Sequence, residues 1–314
     1  MIFRTELPQR KAPNQIDYNS KLLLIGSCFS ENIGNKLAYF KFQNNSNPFG
    51  ILFHPKAIEN LITNSIHLKR YTDDDVFFSN ERWHCYEAHS ELSDPSKENL
   101  LDTLNSAINA TSKHINYSSH IVITLGTSWV YREIGSDITV ANCHKVPQNK
   151  FLKELLTVAE ISESLETITV LIKNVNPTVQ VIFTVSPVRH LKDGFVENAR
   201  SKSHLISAIH QIIRPRNHIH YFPSYEIMMD DLRDYRFYKE DMLHPNETAI
   251  VYIWEQFKKS WIHDSATIIM GKIDTIQKGL LHKPFNQNSA QHQKFLKSLK
   301  IKMALVQEKY DVIF

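Results

Sequence analysis

The sequence has little of what would place the chain outside a reducing, aqueous compartment or on a nucleic acid. It holds three cysteines, Cys28, Cys85 and Cys143. They cannot all pair with one another, and their spacing fits neither a disulfide framework nor CxxC metal clips, so free thiols are expected. Nowhere are there the roughly 18 consecutive apolar residues of a membrane-crossing helix, and the opening stretch MIFRTELPQRKAPN lacks the apolar segment of a secretory leader. Net charge is only +3, the lysine excess lies mostly in residues 264 to 314, and no patch resembles a nucleic-acid footprint. No HExxH occurs among the sixteen histidines, and no two ligands stand at helical i, i+4 spacing with a third nearby. Internal repeats and low-complexity linkers are also missing. These absences predict a cytoplasmic protein with no metal, no cofactor, no nucleic-acid partner and no membrane association; they leave the oligomeric state open.

What is present is a globular composition, 42% apolar and 22% charged, on 314 residues, enough to bury a substantial core. Four short, nearly continuous apolar runs, KLLLIG (21 to 26), HIVITLG (120 to 126), VQVIFTVS (179 to 186) and HIHYF (218 to 222), suit strands covered on both faces. Helical patterns separate them, as parallel crossovers require. Helices are expected from residue 28 to 39, within HPKAIENLITNSIHL, from an Asp94 cap with Pro95 first in the helix to about residue 114, after a Thr157/Glu160 capping box, and over 195 to 213 and 246 to 260. Residues 75 to 92 alternate around Asn80, and residues 129 to 147 around Gly135, like hairpins inserted on the sheet's loops. The expected architecture is α/β with a mostly parallel sheet over residues 1 to 263, followed by a helical C-terminal extension over 264 to 314 broken at Pro284.

Ligands of an open parallel sheet bind beyond the carboxyl ends of the strands. At that point on the first strand stands GSCFSENIG. Ser27 suits the N-cap of the following helix, accepting from the amide of residue 29 or 30, and Cys28 then takes the first helical position, where the macrodipole favours a thiolate. A capping serine beside a small buried cysteine explains the same residues without chemistry. After the last expected strand, FYKEDMLHPNETA carries Asp241 and His244 three residues apart, before a helix opened by Pro245 and Asn246. A carboxylate so placed can hold the Nδ1 proton of the imidazole and leave Nε2 free as a base, although a polar capping loop reads the same way.

Gly26-Ser27-Cys28-Phe29, NPFG (47 to 50), ITLGTSWVYRE (123 to 133), VANCHKVP (140 to 147), TVSPVRH (184 to 190) and the DxxH segment together resemble the bacterial GSCFA family, within the wider SGNH/GDSL hydrolase group. The resemblance implies a flavodoxin-like three-layer α/β/α sandwich. Laid over the G-D-S-L block of that group, Gly26 matches the glycine, Ser27 falls on the aspartate and Cys28 on the nucleophilic serine, so Cys28 is the implied nucleophile and Ser27 its structural neighbour and runner-up. Gly50 matches the oxyanion-hole glycine. Gly126-Thr127-Ser128-Trp129 falls on the G-x-N-D block, with Ser128 where the group has an asparagine. A hydroxyl of Ser128 or Thr127 would have to donate instead, and one oxyanion donor is worth about 2.7 to 4 kcal/mol.

Arg189, with His190 after the third strand, faces the same rim and could clamp a carboxylate or phosphate. His89, Asn142 and His144 sit in the two insertions, expected as walls over the site. The function expected is acyl transfer on a small-molecule or saccharide ester or thioester, with Cys28 attacking, His244 moving the proton, Asp241 orienting His244, and water or a sugar hydroxyl accepting. The alternative is a non-catalytic protein of the same fold that holds an acyl-CoA-like or saccharide ligand.

Overall fold

The computed structural model describes residues 5–214, 217–310 and 312–314; the first four residues of the stretch read for a leader lie outside them. Strand β1 (Lys21–Gly26) leads into helix α1 (Cys28–Tyr39), then β2 (Gln43–Ser46) and α2 (Pro55–Ile66). A short hairpin, β3 (Phe77–Ser79) and β4 (Arg82–His84), precedes α3 (Lys97–Tyr117) and β5 (His120–Leu125). The second insertion, β6 (Trp129–Glu133), β7 (Ile138–Val140) and β8 (Phe151–Leu155), is followed by α4 (Val158–Val175) and β9 (Gln180–Val185). Helix α5 (Phe195–Ile212), β10 (Ile219–Phe222), a turn of helix α6 (Ser224–Glu226), α7 (Glu247–Trp261), α8 (Asp264–Leu281) and α9 (Ala290–Tyr310) complete the chain.

The central sheet has the order β2-β1-β5-β9-β10, and every pairing in it is parallel. Because the chain runs outward from β1 to β2 and then returns to the other side of β1, the order reverses between β1 and β5. That reversal makes the flavodoxin-like switch point. The inner strands β1, β5 and β9 are buried on both faces, and the faces divide by alternation. Leu23, Ile25, Ile121, Ile123, Val181 and Phe183 pack under α2 to α5, whereas Leu22, Leu24, Val122 and Ile182 pack under α1, α7 and the tail. The α8 residues Ile269, Met270, Ile273 and Ile276, with Leu299 and Val306 of α9, belong to this second core.

Several local signals act as expected. Ser27 caps α1, Thr157 and Glu160 close a reciprocal capping box on α4, and Asn246 caps α7. Asn80 and Glu81 take left-handed conformations in the β3–β4 turn, the geometry a two-residue hairpin needs. The start of α3 differs from expectation. Asp94 exchanges backbone hydrogen bonds with Trp83 on the hairpin edge, and its Oδ1 accepts from the Ser96 amide at 2.7 Å, so Ser96 caps the helix instead. Two strands escape the apolar pattern. β2 is the polar edge strand QNNS, and β8 pairs with the outer side of β6 to widen the second insertion to three strands.

Candidate active site at the sheet's switch point

The site is built outward from Gly26, the last residue of β1. Its φ is +142°, and a Cβ there would lie within 2.8 Å of the Thr124 carbonyl carbon and nitrogen, closer still to the oxygen. Only glycine lets β1 run this close to β5 at the rim. The next amide, of Ser27, donates to the Thr124 carbonyl at 3.0 Å, and the Ser27 hydroxyl accepts from the Phe29 amide at 3.3 Å. Ser27 is 2% exposed and serves as the helix cap. Ser30 fixes the same turn from below, donating to the Ile25 carbonyl and meeting the Thr124 hydroxyl at 2.7 Å. Cys28 is thereby held at the first position of α1, half-buried at the rim.

The thiol is not the depressed one that the helix terminus predicts. Burial pushes the Cys28 pKa up and Glu31, one turn along, adds to that, while Lys202, the Cys28 amide and Lys239 pull against them without prevailing. Desolvation of a partly covered sulfur outweighs the macrodipole here.

Asp241 and His244 are brought together as expected. The Asp241 Oδ2 lies 2.6 Å from His244 Nδ1, while its Oδ1 accepts from the amides of Leu243 and His244 at 2.8 and 3.0 Å. Those bonds to the charged carboxylate, the His244 amide first, hold Asp241 down to about 2. The pair is about two-fifths exposed. Its loop is tied to the rim because the Leu243 carbonyl accepts from the Arg189 amide at 3.1 Å. The Arg189 guanidinium lies 4.2 Å from the Tyr238 ring centre and 5.4 Å from that of Tyr235. Its place is thus against the aromatic side of the Asp241–His244 loop, which it pins to the end of β9.

The expected oxyanion donors are spent elsewhere. Ser128 is fully buried, its hydroxyl donating to the Ser201 carbonyl at 3.1 Å and its amide to the Ser201 hydroxyl at 2.8 Å. The Thr127 hydroxyl meets Ser201 Oγ at 2.9 Å and accepts from the Trp129 amide. Both staple the end of β5 to α5. The Gly50 amide donates to the Asn47 carbonyl at 2.8 Å, closing the NPFG turn, and this glycine, at φ +69°, is packed against the His89 side chain. Asn47 ties that turn back to the end of β1, accepting from the Gly26 amide at 2.9 Å and donating to Glu31.

The insertions close on each other. The His89 amide donates to the Phe49 carbonyl, and its Nδ1 accepts from the Glu91 amide at 3.4 Å, so the first insertion sits on the NPFG turn. Asn142 accepts from the His144 amide, and the buried His144 donates from Nε2 to the Cys85 carbonyl at 2.8 Å, with its ring 4.7 Å from that of His84. Burial pushes His144 down to about 4. Its ring lies in the seam between the insertions. Among the described residues no group of three or more His, Cys, Asp and Glu side chains is suited to a metal ion, and no helix is long and apolar enough to cross a membrane.

One residue that the helical frame reduces to a weak candidate in the sequence, beside Arg200, is buried at the ends of the central strands. Lys202, on α5, is 1% exposed, and its Nζ donates to the carbonyls of Gly126 and Ser186 at 2.6 and 2.7 Å, just past the ends of β5 and β9. Burial pushes it down to about 7, opposed only by Cys28. Beside it His190 is held neutral, pushed down to about 3 by burial, then by Lys202 and His244. The signal was available: Asn198, Ser201, Lys202, Leu205, Ala208, Ile209 and Ile212 form the buried stripe of α5, so a lysine occupies an apolar register position.

A doubly wound parallel sheet with a cysteine heading its first helix, and a carboxylate–imidazole pair after its last strand, defines a flavodoxin-like α/β protein with a rim site. The chain belongs to the GSCFA family, whose model matches residues 21–257, and the model of the GSCFA domain protein C-terminal domain matches residues 273–313. Among solved structures the chain is similar to a serine-to-alanine mutant of an acetyl esterase with acetate ion, at 9% identity and TM-score 0.37, over 82% of this chain and 99% of that one. It is also similar to a carbohydrate esterase family 3 structure from Talaromyces cellulolyticus, at 9% identity and TM-score 0.36 over the same shares. Likenesses of this size assign neither activity nor substrate. No curated protein matches the chain.

Proposed function

We propose that the protein is an acyl-transfer enzyme in which the Cys28 sulfur attacks an ester or thioester carbonyl. The observations that carry this reading are a cysteine at the head of α1, directly after β1, and an Asp241–His244 pair bonded at 2.6 Å on a loop tied to the segment after β9. The carbonyl's π electrons pass to its oxygen as the S–C bond forms, and collapse of the adduct expels the alcohol or thiol and leaves a thioester on Cys28. His244, oriented by Asp241, takes the thiol proton as the sulfur attacks, gives it to the departing alcohol or thiol, and then takes the proton of the incoming acceptor, which is water in an esterase or a sugar hydroxyl in an acyltransferase. With Thr127, Ser128 and Gly50 engaged within the protein, the Cys28 amide is the oxyanion donor nearest the reacting carbon. Membership of the GSCFA family supports the reading, as does the resemblance of Gly26-Ser27-Cys28-Phe29 to the G-D-S-L block, in which Cys28 falls at the nucleophilic serine.

The test is acylation by p-nitrophenyl acetate and by a short acyl-CoA, followed by intact mass. Adduct in the parent and in Ser27→Ala, but in neither Cys28→Ala nor His244→Ala, supports the assignment. Loss in Ser27→Ala alone moves the role to Ser27. A second reading, a ligand-binding protein without turnover, is favoured by the raised thiol and the spent hydroxyls; an unmodified parent protein would support it.

A further inference from the structure

We propose that the groove between α8 and α9 binds a single long-chain fatty-acid anion, with the acyl chain on the apolar floor and the carboxylate among Lys272, Lys302 and Lys309. The site is separate from the rim at Cys28, since α8 meets α1 at Tyr39, the opposite end of that helix. It goes beyond the acyl-transfer reading and does not depend on it.

The groove follows from how the two helices approach each other. They touch at Gly279, where a Cβ would stand 2.7 Å from Leu299 Cδ1, so the missing side chain on α8 lets α9 come this close. Further back along α8 both helices present full side chains, and a groove of about 490 Å³ opens between them. That size lies within the roughly 300 to 1,000 Å³ of small-molecule sites. Ile276 and Val306, 1% and 4% exposed, form the floor, and Leu305 stands at the lip, 62% exposed. Tyr310 lines the end of α9, its ring 6.1 Å from that of Tyr18.

Charge decides what the groove takes. Lys272, Lys302 and Lys309 line it together with no acidic residue, and among the described residues none of the three makes an ion pair. Lys278, on another side of α8, does pair, with Asp274 at 2.7 Å. Lys302 and Lys309 stand two turns apart on one side of α9, about 10.5 Å along its axis, and Lys272 belongs to the facing helix. Cations gathered over an apolar floor repel one another, and an anion that also covers the floor relieves both the repulsion and the exposed apolar surface. A fatty-acid anion supplies both in one molecule. Inorganic phosphate would leave Leu305 bare, and a neutral acyl chain would leave the lysines unpaired. A bilayer fits less well, because the outer face of α9 sets the exposed Ile301 among Lys294, Lys297 and Glu308, whereas an interfacial helix needs a broad apolar face.

The experiment titrates the 314-residue chain with cis-parinaric acid, a fluorescent long-chain fatty acid, and displaces it with palmitate. Saturable binding of one equivalent, displaced by palmitate and not by inorganic phosphate, is expected. Lys302→Gln with Lys309→Gln should weaken binding about tenfold, the worth of two exposed charge pairs. Leu305→Glu, at an exposed position and with its fold checked by a melting curve, should weaken it at least as much. Lys297→Gln on the outer face and Cys28→Ala at the rim should bind as the parent does. Absence of saturable binding below about 0.1 mM overturns the proposal. So does binding indifferent to Leu305→Glu and to the lysine changes, or binding lost in Cys28→Ala, which would put the acyl chain at the rim. Two other occupants would also overturn it, each in a protein that ignores monomeric fatty acid. Sedimentation with phosphatidylglycerol vesicles, abolished by Leu305→Glu, would make the groove a bilayer contact; a dimer that Leu305→Glu dissociates would make it an interface between copies. Failure of acylation at Cys28 leaves all these readouts unchanged, so the two readings fall separately.

Discussion

Replacing Gly26 by alanine tests how much of the site depends on the close run of β1 past β5. At φ +142° an alanine is strained by about 1 to 3 kcal/mol. Its Cβ would also fall within 2.8 Å of two Thr124 backbone atoms, and backbone in the middle of a sheet cannot move aside as a flexible side chain does. Relief requires β1 and β5 to part at the rim, which stretches the 3.0 Å bond from the Ser27 amide to the Thr124 carbonyl, worth about 0.5 to 1.5 kcal/mol. Together these give a loss of about 1.5 to 4.5 kcal/mol, or several degrees in melting temperature for a chain of this size. The assay is urea unfolding followed by far-UV circular dichroism, with Gly271→Ala as the control. Gly271 lies inside α8 with nothing within 4 Å of an added Cβ, so that change should stabilise by about 0.5 to 1 kcal/mol. A Gly26→Ala loss below about 1 kcal/mol would refute the claim that the rim is locked by this contact.

Other perturbations bear on separate parts of the reading. Ser128→Ala should destabilise the protein by about 1 to 3 kcal/mol by stripping Ser201 of its partner, yet leave the acylation rate within a few-fold; a hundredfold rate loss would restore Ser128 as an oxyanion donor. Ile273→Ala, in the middle of α8 and fully buried, should cost about 2 to 5 kcal/mol by urea titration if the tail shares the body's core. Asp241, held down to about 2 by its amide bonds and His244, contributes its pairing above the ordinary carboxylate range and loses it only as pH falls through 2. Its carboxyl carbon, followed by NMR, should keep the ionised shift at pH 4, and a midpoint near 4 would contradict the geometry.

Legibility in the sequence followed burial. Strands covered on both faces, such as Leu22 to Ile25 and Val181 to Val185, must be apolar throughout, and so they stand out as runs. The edge strand β2 packs on one side only and can be written QNNS, which no hydrophobic pattern marks. Caps are visible for a similar reason, because Ser27 and Thr157 satisfy amides a few residues away. Asp94 misled because Asx turns and N-caps use the same side chain, and the choice between them was made by the β-bridge to Trp83, a contact no local window contains. At the site, Asp241 and His244 were legible as neighbours in the chain. Whether a hydroxyl is free was not: Ser128 looked available until α5 brought Ser201 against it from 73 residues away.

The tail has a consequence for how this protein can be divided. Helix α8 grips the far end of α1, where the Tyr39 hydroxyl donates to Asp274 at 2.9 Å and Gln277 donates to the Tyr39 carbonyl at 2.9 Å. The helix that presents Cys28 at one end is thus clasped at the other by the last fifty residues. A chain trimmed to the span from 21 to 257 would cut α7 short and strip the covering from one whole layer, so an expression plasmid built on those limits should yield inclusion bodies where the 314-residue chain stays in solution.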